Sequence, residues 1–128
     1  MKEKVIKVLK VEPRKVPEIV DLKNDLDSLQ KAVSIGADYQ GLIEIINLDE
    51  DNCILCNEEG KLIGLEPNRR FYDDVLVGVF YVCGQDRHGN LSSLSKKAIE
   101  HYTKAFADTS KVNVTDEDLC RLCEITVL

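Results

Sequence analysis

The chain has 128 residues, of which 44% are apolar and 31% charged, enough for one sizeable core and too apolar for a disordered segment. Its formal charge of −6 disfavours binding to a nucleic-acid backbone, which rewards cations through counterion release. Aromatics reach only 5% with no Trp, so the core must rest on Val, Ile and Leu, and no apolar run approaches the roughly 20 residues of a membrane span.

The opening "MKEKVIKVLKVEP" alternates charged and apolar residues and offers neither the apolar stretch nor the small-residue cleavage site of a signal peptide, so a cytoplasmic protein is expected. "VIKVLKVEP" and "KVPEIVDL" read as two strands joined by a Pro-Arg-Lys turn, with Pro13 and Pro17 confining them to strand starts or a sheet edge. A short helix follows, with Asn24 as N-cap and Leu26, Leu29 and Val33 along one face. Gly36 sits where a left-handed residue closes such a helix. "GLIEIINL" (41–48) is a strand with Leu42, Ile46 and Leu48 on one side and Ile43 and Ile45 on the other. After the acidic turn "DEDN", Glu59-Gly60 predicts a hairpin between "CILCNE" and "KLIGL", with a bulge at Gly64 and an exit turn at Pro67-Asn68. "DVLVGVFYVCG" (74–84) is continuously apolar and β-branched, as a central strand buried on both faces is. Gly78 within it marks a bulge or a close approach by another element.

"DRHGN" is a turn, after which Ser95 caps a second helix with Ile99, Tyr102, Ala105 and Phe106 as its buried stripe. Leu94 and Ile99 form a hydrophobic staple around that start. "DTSKVN" (108–113) reads as a linker to a tail in which Thr115 caps and Asp116, Glu117 and Asp118 fill the first turn; "EITVL" then ends as helix or strand. The order β-β-α-β-β-β-α-α predicts an α+β fold, a mostly antiparallel sheet of about five strands with two to three helices packed on it. Residues 1–107 form the expected domain and 108–128 a helical appendage. No glycine-rich phosphate loop leads from a strand into a helix, which removes the nucleotide-fold reading.

Two C-x-x-C pairs, Cys53/Cys56 and Cys120/Cys123, have zinc-ligand spacing. Cys53 and Cys56 lie in an apparent strand, however, where residues three apart face opposite ways, so core cysteines are expected and no metal or cofactor. Their acidic neighbours also oppose thiolate formation. His88 falls in a turn and His101 on the far side of the second helix from its stripe, so no catalytic residue is assigned. The acidic turns "DEDN" and "TDED" read as a solvated turn and a helix cap, with a nucleic-acid-like surface for a basic partner as the alternative.

"NEEGKLIGLEPNRRF" (57–71) is the most distinctive stretch. Turn chemistry accounts for Gly60, Gly64, Pro67 and Asn68 but not for three cations in an otherwise acidic chain. Lys61, Asn68, Arg69 and Arg70 are therefore the candidate ligand-binding residues, suited to an anionic group. This stretch, flanked by "DLKNDLDSLQKAVSIG", "GLIEIINL", "LVGVFYVCG" and "LSSLSKKAIEHYTKAF", resembles the bacterial and phage family called domain of unknown function 3846. The similarity runs from about Ile6 to Phe106, and its marks are Asn57, Glu58, Gly60, Lys61, Gly64, Pro67, Asn68, Arg69, Gly78 and the helix start at Leu91–Ser95. Glu66 stands where the family often has a second proline.

The resemblance implies a phage or mobile-element setting and supplies little chemistry. The expected function is that of a small non-catalytic binding protein, taking a host protein or a small anionic ligand such as a nucleotide signal, in service of countering host defence. The alternatives are an enzyme of unrecognised type and an acidic inhibitor of a basic host protein. Neither nucleic acid nor membrane is an expected partner, and homo-oligomer formation stays open.

Overall fold

The computed structural model describes residues 4–115 and Asp118. Along the chain come β1 (Val5–Val11), β2 (Glu18–Lys23), α1 (Leu26–Ala32), β3 (Ile43–Asn47), β4 (Asn52–Asn57), β5 (Pro67–Phe71), β6 (Asp74–Val77), β7 (Phe80–Gln85), β8 (Leu91–Ser92) and α2 (Lys96–Ala105). Six strands form one sheet in the order β2-β1-β7-β4-β3, with β8 pairing β7 at Gly84 and Gln85, past the residues that β1 pairs, and β5 pairs only with β6. All pairings are antiparallel. The α+β class and the antiparallel sheet stand as expected, with two helices in the described residues.

Strand alternation gives the sheet two apolar faces. Ile6, Val8, Cys53, Leu55, Tyr81 and Cys83 face α1, where Leu29 and Val33 close the cluster. Leu9, Val11, Ile54, Cys56, Phe80 and Val82 face the other way, onto α2 and the β5–β6 hairpin, through Leu76, Ala98, Tyr102 and Phe106. Each face of the central strand β7 is thus covered, which is why its sequence is continuously apolar. The Tyr102 hydroxyl reaches Asp49, pinning α2 to the turn between β3 and β4.

Several expectations are corrected. The N-cap of α1 is Asp25, whose carboxylate accepts from the Ser28 N–H at 2.8 Å, because Asn24 is buried and its backbone N–H bonds the Lys4 carbonyl. Leu26 leaves the expected stripe and is 65% exposed. "KLIGL" is no strand: Ile63, Gly64 and Leu65 donate to the Glu59, Lys61 and Gly60 carbonyls, folding 58–64 into a compact turn. Of residues 61–65 only Leu65 is buried, so a strand here had no apolar row to bury.

Pro67-Asn68 is not an exit turn but the start of β5, and the bulge falls there, between Pro67 and Arg69, rather than at Gly64. The run 74–84 is two strands. Gly78 bends the chain at φ +71°, and a Cβ there would lie 2.7 Å from Leu65 Cδ1, so both the bend and the close approach require glycine. On α2, Ser95 caps as expected, accepting from the Ala98 N–H at 3.1 Å, but Ala98 takes the buried place given to Ala105, which is exposed.

Candidate functional site

The bulge in β5 decides the fate of the four candidate residues. Successive residues of a regular strand alternate faces, but a bulge lets two neighbours point the same way. Asn68 and Arg69 both turn inward, 1% and 4% exposed, while Arg70 turns out. Asn68 Nδ2 donates to the Val11 and Gly78 carbonyls, each at 2.8 Å, joining the end of β1 to the bend before β7. Arg69 donates from Nε to the Phe106 carbonyl at 3.1 Å and from one terminal nitrogen to the Lys15 carbonyl at 2.6 Å. Its other terminal nitrogen reaches the Asn68 carbonyl and side chain. Phe106 is the C-cap of α2, so the guanidinium also meets the negative end of that helix. Burial lowers the pKa of Arg69, while the Asp108 carboxylate favours its charged form.

Arg70 forks onto Asp118, at 3.0 and 3.2 Å, and reaches the Asn113 carbonyl at 2.7 Å. Thr115 and Asp118 exchange hydrogen bonds reciprocally, the geometry of a capping box, as the Thr115 cap required. The Thr115 N–H first, then Arg70, hold the Asp118 carboxyl at about 2. The rest of the predicted tail helix and Cys120/Cys123 lie outside the described residues. Arg69 and Arg70 border a groove of about 520 Å³ with Asp108, Ser110 and Lys111.

Lys61 stands apart from the arginines. Its ammonium pairs with Asp74 at the start of β6 and touches the Asp118 carbonyl at 3.4 Å. There it borders a second cavity, about 290 Å³, between the β3–β4 edge of the sheet and β6. Glu44, Glu58 and Asp74 line that cleft beside Cys56 and Ile46. Burial first, then the Glu44 charge, pushes the Cys56 thiol far above its ordinary range. Strand alternation signalled Glu44, which shares its side with Ile46 and Leu48; nothing local signalled Asp74, which the Gly78 bend brings into place.

Cys53 and Cys56 do face opposite sides, and the cysteine opposite Cys53 is Cys83 on β7. Burial raises Cys53 to about 11 and Cys83 well above the ordinary thiol value. No group of three or more His, Cys, Asp or Glu side chains is placed to hold a metal among the described residues. His88 and His101 are exposed. No described helix is long and apolar enough to cross a membrane.

Fold and site together define an α+β domain with one antiparallel sheet covered on both faces and a small acidic cleft at its β3 side. The chain belongs to the family described as Domain of unknown function (DUF3846), whose profile matches residues 6–107, from β1 through α2. Neither the curated proteins nor the solved structures contain a match to it.

Proposed function

We propose that this is a non-catalytic binding protein whose partner is a basic protein, engaged at the cleft between β3–β4 and β6. The observation that carries the reading is the charge of that cleft, where Glu44, Glu58 and Asp74 outnumber Lys61 beside apolar Ile46 and Leu76. Its 290 Å³ fall at the bottom of the usual small-ligand range of roughly 300–1,000 Å³ and suit one or two side chains of a partner. A basic partner also fits the chain's charge of −6. Three thiols held protonated by burial, and histidines exposed to solvent, support a non-catalytic role. The phage or mobile-element setting expected from the sequence supports a host protein as that partner, and countering a host defence as the purpose.

A second reading, an anionic small ligand, is favoured by the larger groove beside Arg70 and Lys111. Such a ligand must displace Asp118 from Arg70, since that guanidinium is engaged.

Native mass spectrometry of the protein purified from cells in which it acts separates the two. The expected result is a protein partner retained by the wild type and by Arg70→Ala and lost in Glu44→Lys, with both variants still folded. A retained small molecule that Arg70→Ala loses would establish the second reading instead.

A further inference from the structure

The two edges of the main sheet are built differently. β2 follows Pro17 and carries Glu18, Asp21 and Lys23, the charged and proline-flanked pattern that keeps an edge from pairing. β3, at the other end, reads Ile-Glu-Ile-Ile-Asn, with no proline and a single charge. Leu48 donates to the Asn52 carbonyl and Glu58 to the Leu42 carbonyl, so the even-numbered residues of this segment bond β4. By alternation, the N–H and C=O of Ile43, Ile45 and Asn47 point away from the sheet. No other described strand pairs with them, and the Ile45 side chain is 48% exposed.

We infer that β3 is a self-association edge, on which two copies of the chain pair antiparallel about a two-fold axis through Ile45. That register uses the whole strand. Ile45 exchanges hydrogen bonds with Ile45 of the second copy, and Ile43 with its Asn47, which are the residues whose backbone groups point outward. On the α1 side Ile45 meets Ile45. On the other side Glu44 lies opposite Ile46, so no like charges stand directly across from one another. Moving the axis to Ile43 or Asn47 leaves part of each strand without a partner, so the self-pairing has one preferred register. A short edge buries less than the roughly 1,000 Å² of a durable interface, so the dimer is weak and concentration-dependent. Because the pairing lies in the plane of the sheet, it sets both Glu44 clefts on the same side of one continuous sheet, adjoining the seam.

Sedimentation over a rising concentration series tests this. The wild type should move from the 14.4 kDa chain mass towards twice that value. Ile45→Lys should remain monomeric, and Ile19→Lys on the opposite edge should dimerise as the wild type does. Hydrogen exchange on the wild-type chain gives a readout that needs no variant. The Ile43, Ile45 and Asn47 amides should slow on concentration while the Glu44 and Ile46 amides do not change. A monomer at every concentration, a dimer that Ile45→Lys leaves intact, or edge amides protected in a dilute monomer would each overturn the inference. Ile45 faces away from the Glu44 cleft, so loss of the dimer and loss of a cleft-bound partner are separable.

Discussion

Arg69 brings a guanidinium into the interior and sets it among backbone carbonyls from two other parts of the chain, the Phe106 helix cap and the Lys15 turn. Arg70, one residue on, is half exposed and meets a carboxylate. Removing Arg69 leaves those carbonyls and the Asn68 side chain without their donor, so Arg69→Ala should cost on the order of 3 kcal/mol. Arg70→Ala removes a partly exposed pair and should cost about 1 kcal/mol or less. Urea midpoints of the two variants measure the contrast. The composition of "NEEGKLIGLEPNRRF" showed that its cations and amides needed a reason. It could not show that Asn68 and Arg69 satisfy backbone carbonyls, because those of Val11, Lys15 and Phe106 lie far off in sequence. Asn57 behaves likewise: its amide donates to the Val33 carbonyl at the C-cap of α1.

Elements whose identity rests on local pattern were legible: both helices, the strand alternation of 41–48, the Ser95 cap and the buried run ending at Gly84. What failed were junctions decided by tertiary contact. "KLIGL" has strand-forming residues, yet its one buried side chain, Leu65, packs against Gly78 and fixes the segment as a turn. The same contact divides the apolar run 74–84 into β6 and β7, and β8 was missed because a two-residue strand has no period to read. Gly78→Ala tests this junction. It combines a left-handed φ of +71° with a Cβ pressed on Leu65, and should destabilise by about 2–4 kcal/mol. In a double-mutant cycle with Leu65→Ala, which opens the space at its own cost, the combined loss measured by calorimetry should fall short of the sum by the packing part alone.

At the scale of the whole molecule, residues beyond the family match are tied to the hairpin. Arg70 bonds Asp118 and Asn113, Lys61 touches the Asp118 carbonyl, and Val114 borders a small cavity with Leu65 and Val75. That attachment depends on pH. The Asp118 carboxyl is depressed from 3.8 to about 2 in the folded protein. The stability it contributes is therefore complete above the unfolded value and disappears as pH falls from about 4 towards 2. Asp118→Asn should flatten the decline of the thermal midpoint across that window, and the same flattening in Arg70→Ala would trace part of the effect to the fork.

The Arg69 clamp also bears on how fast the chain reaches and leaves its native state. Its bonds to Phe106 and Lys15 close 37 and 54 residues of chain, and the Asn68 bond to Val11 closes 57. Each of these bonds needs β1, the β5–β6 hairpin or α2 already docked, so they are expected to form after the rate-limiting step. In stopped-flow measurements Arg69→Ala should accelerate unfolding and leave the refolding limb nearly unmoved. The arginine is then a latch on the exit from the native state, governing how long each molecule stays folded rather than how quickly it gets there.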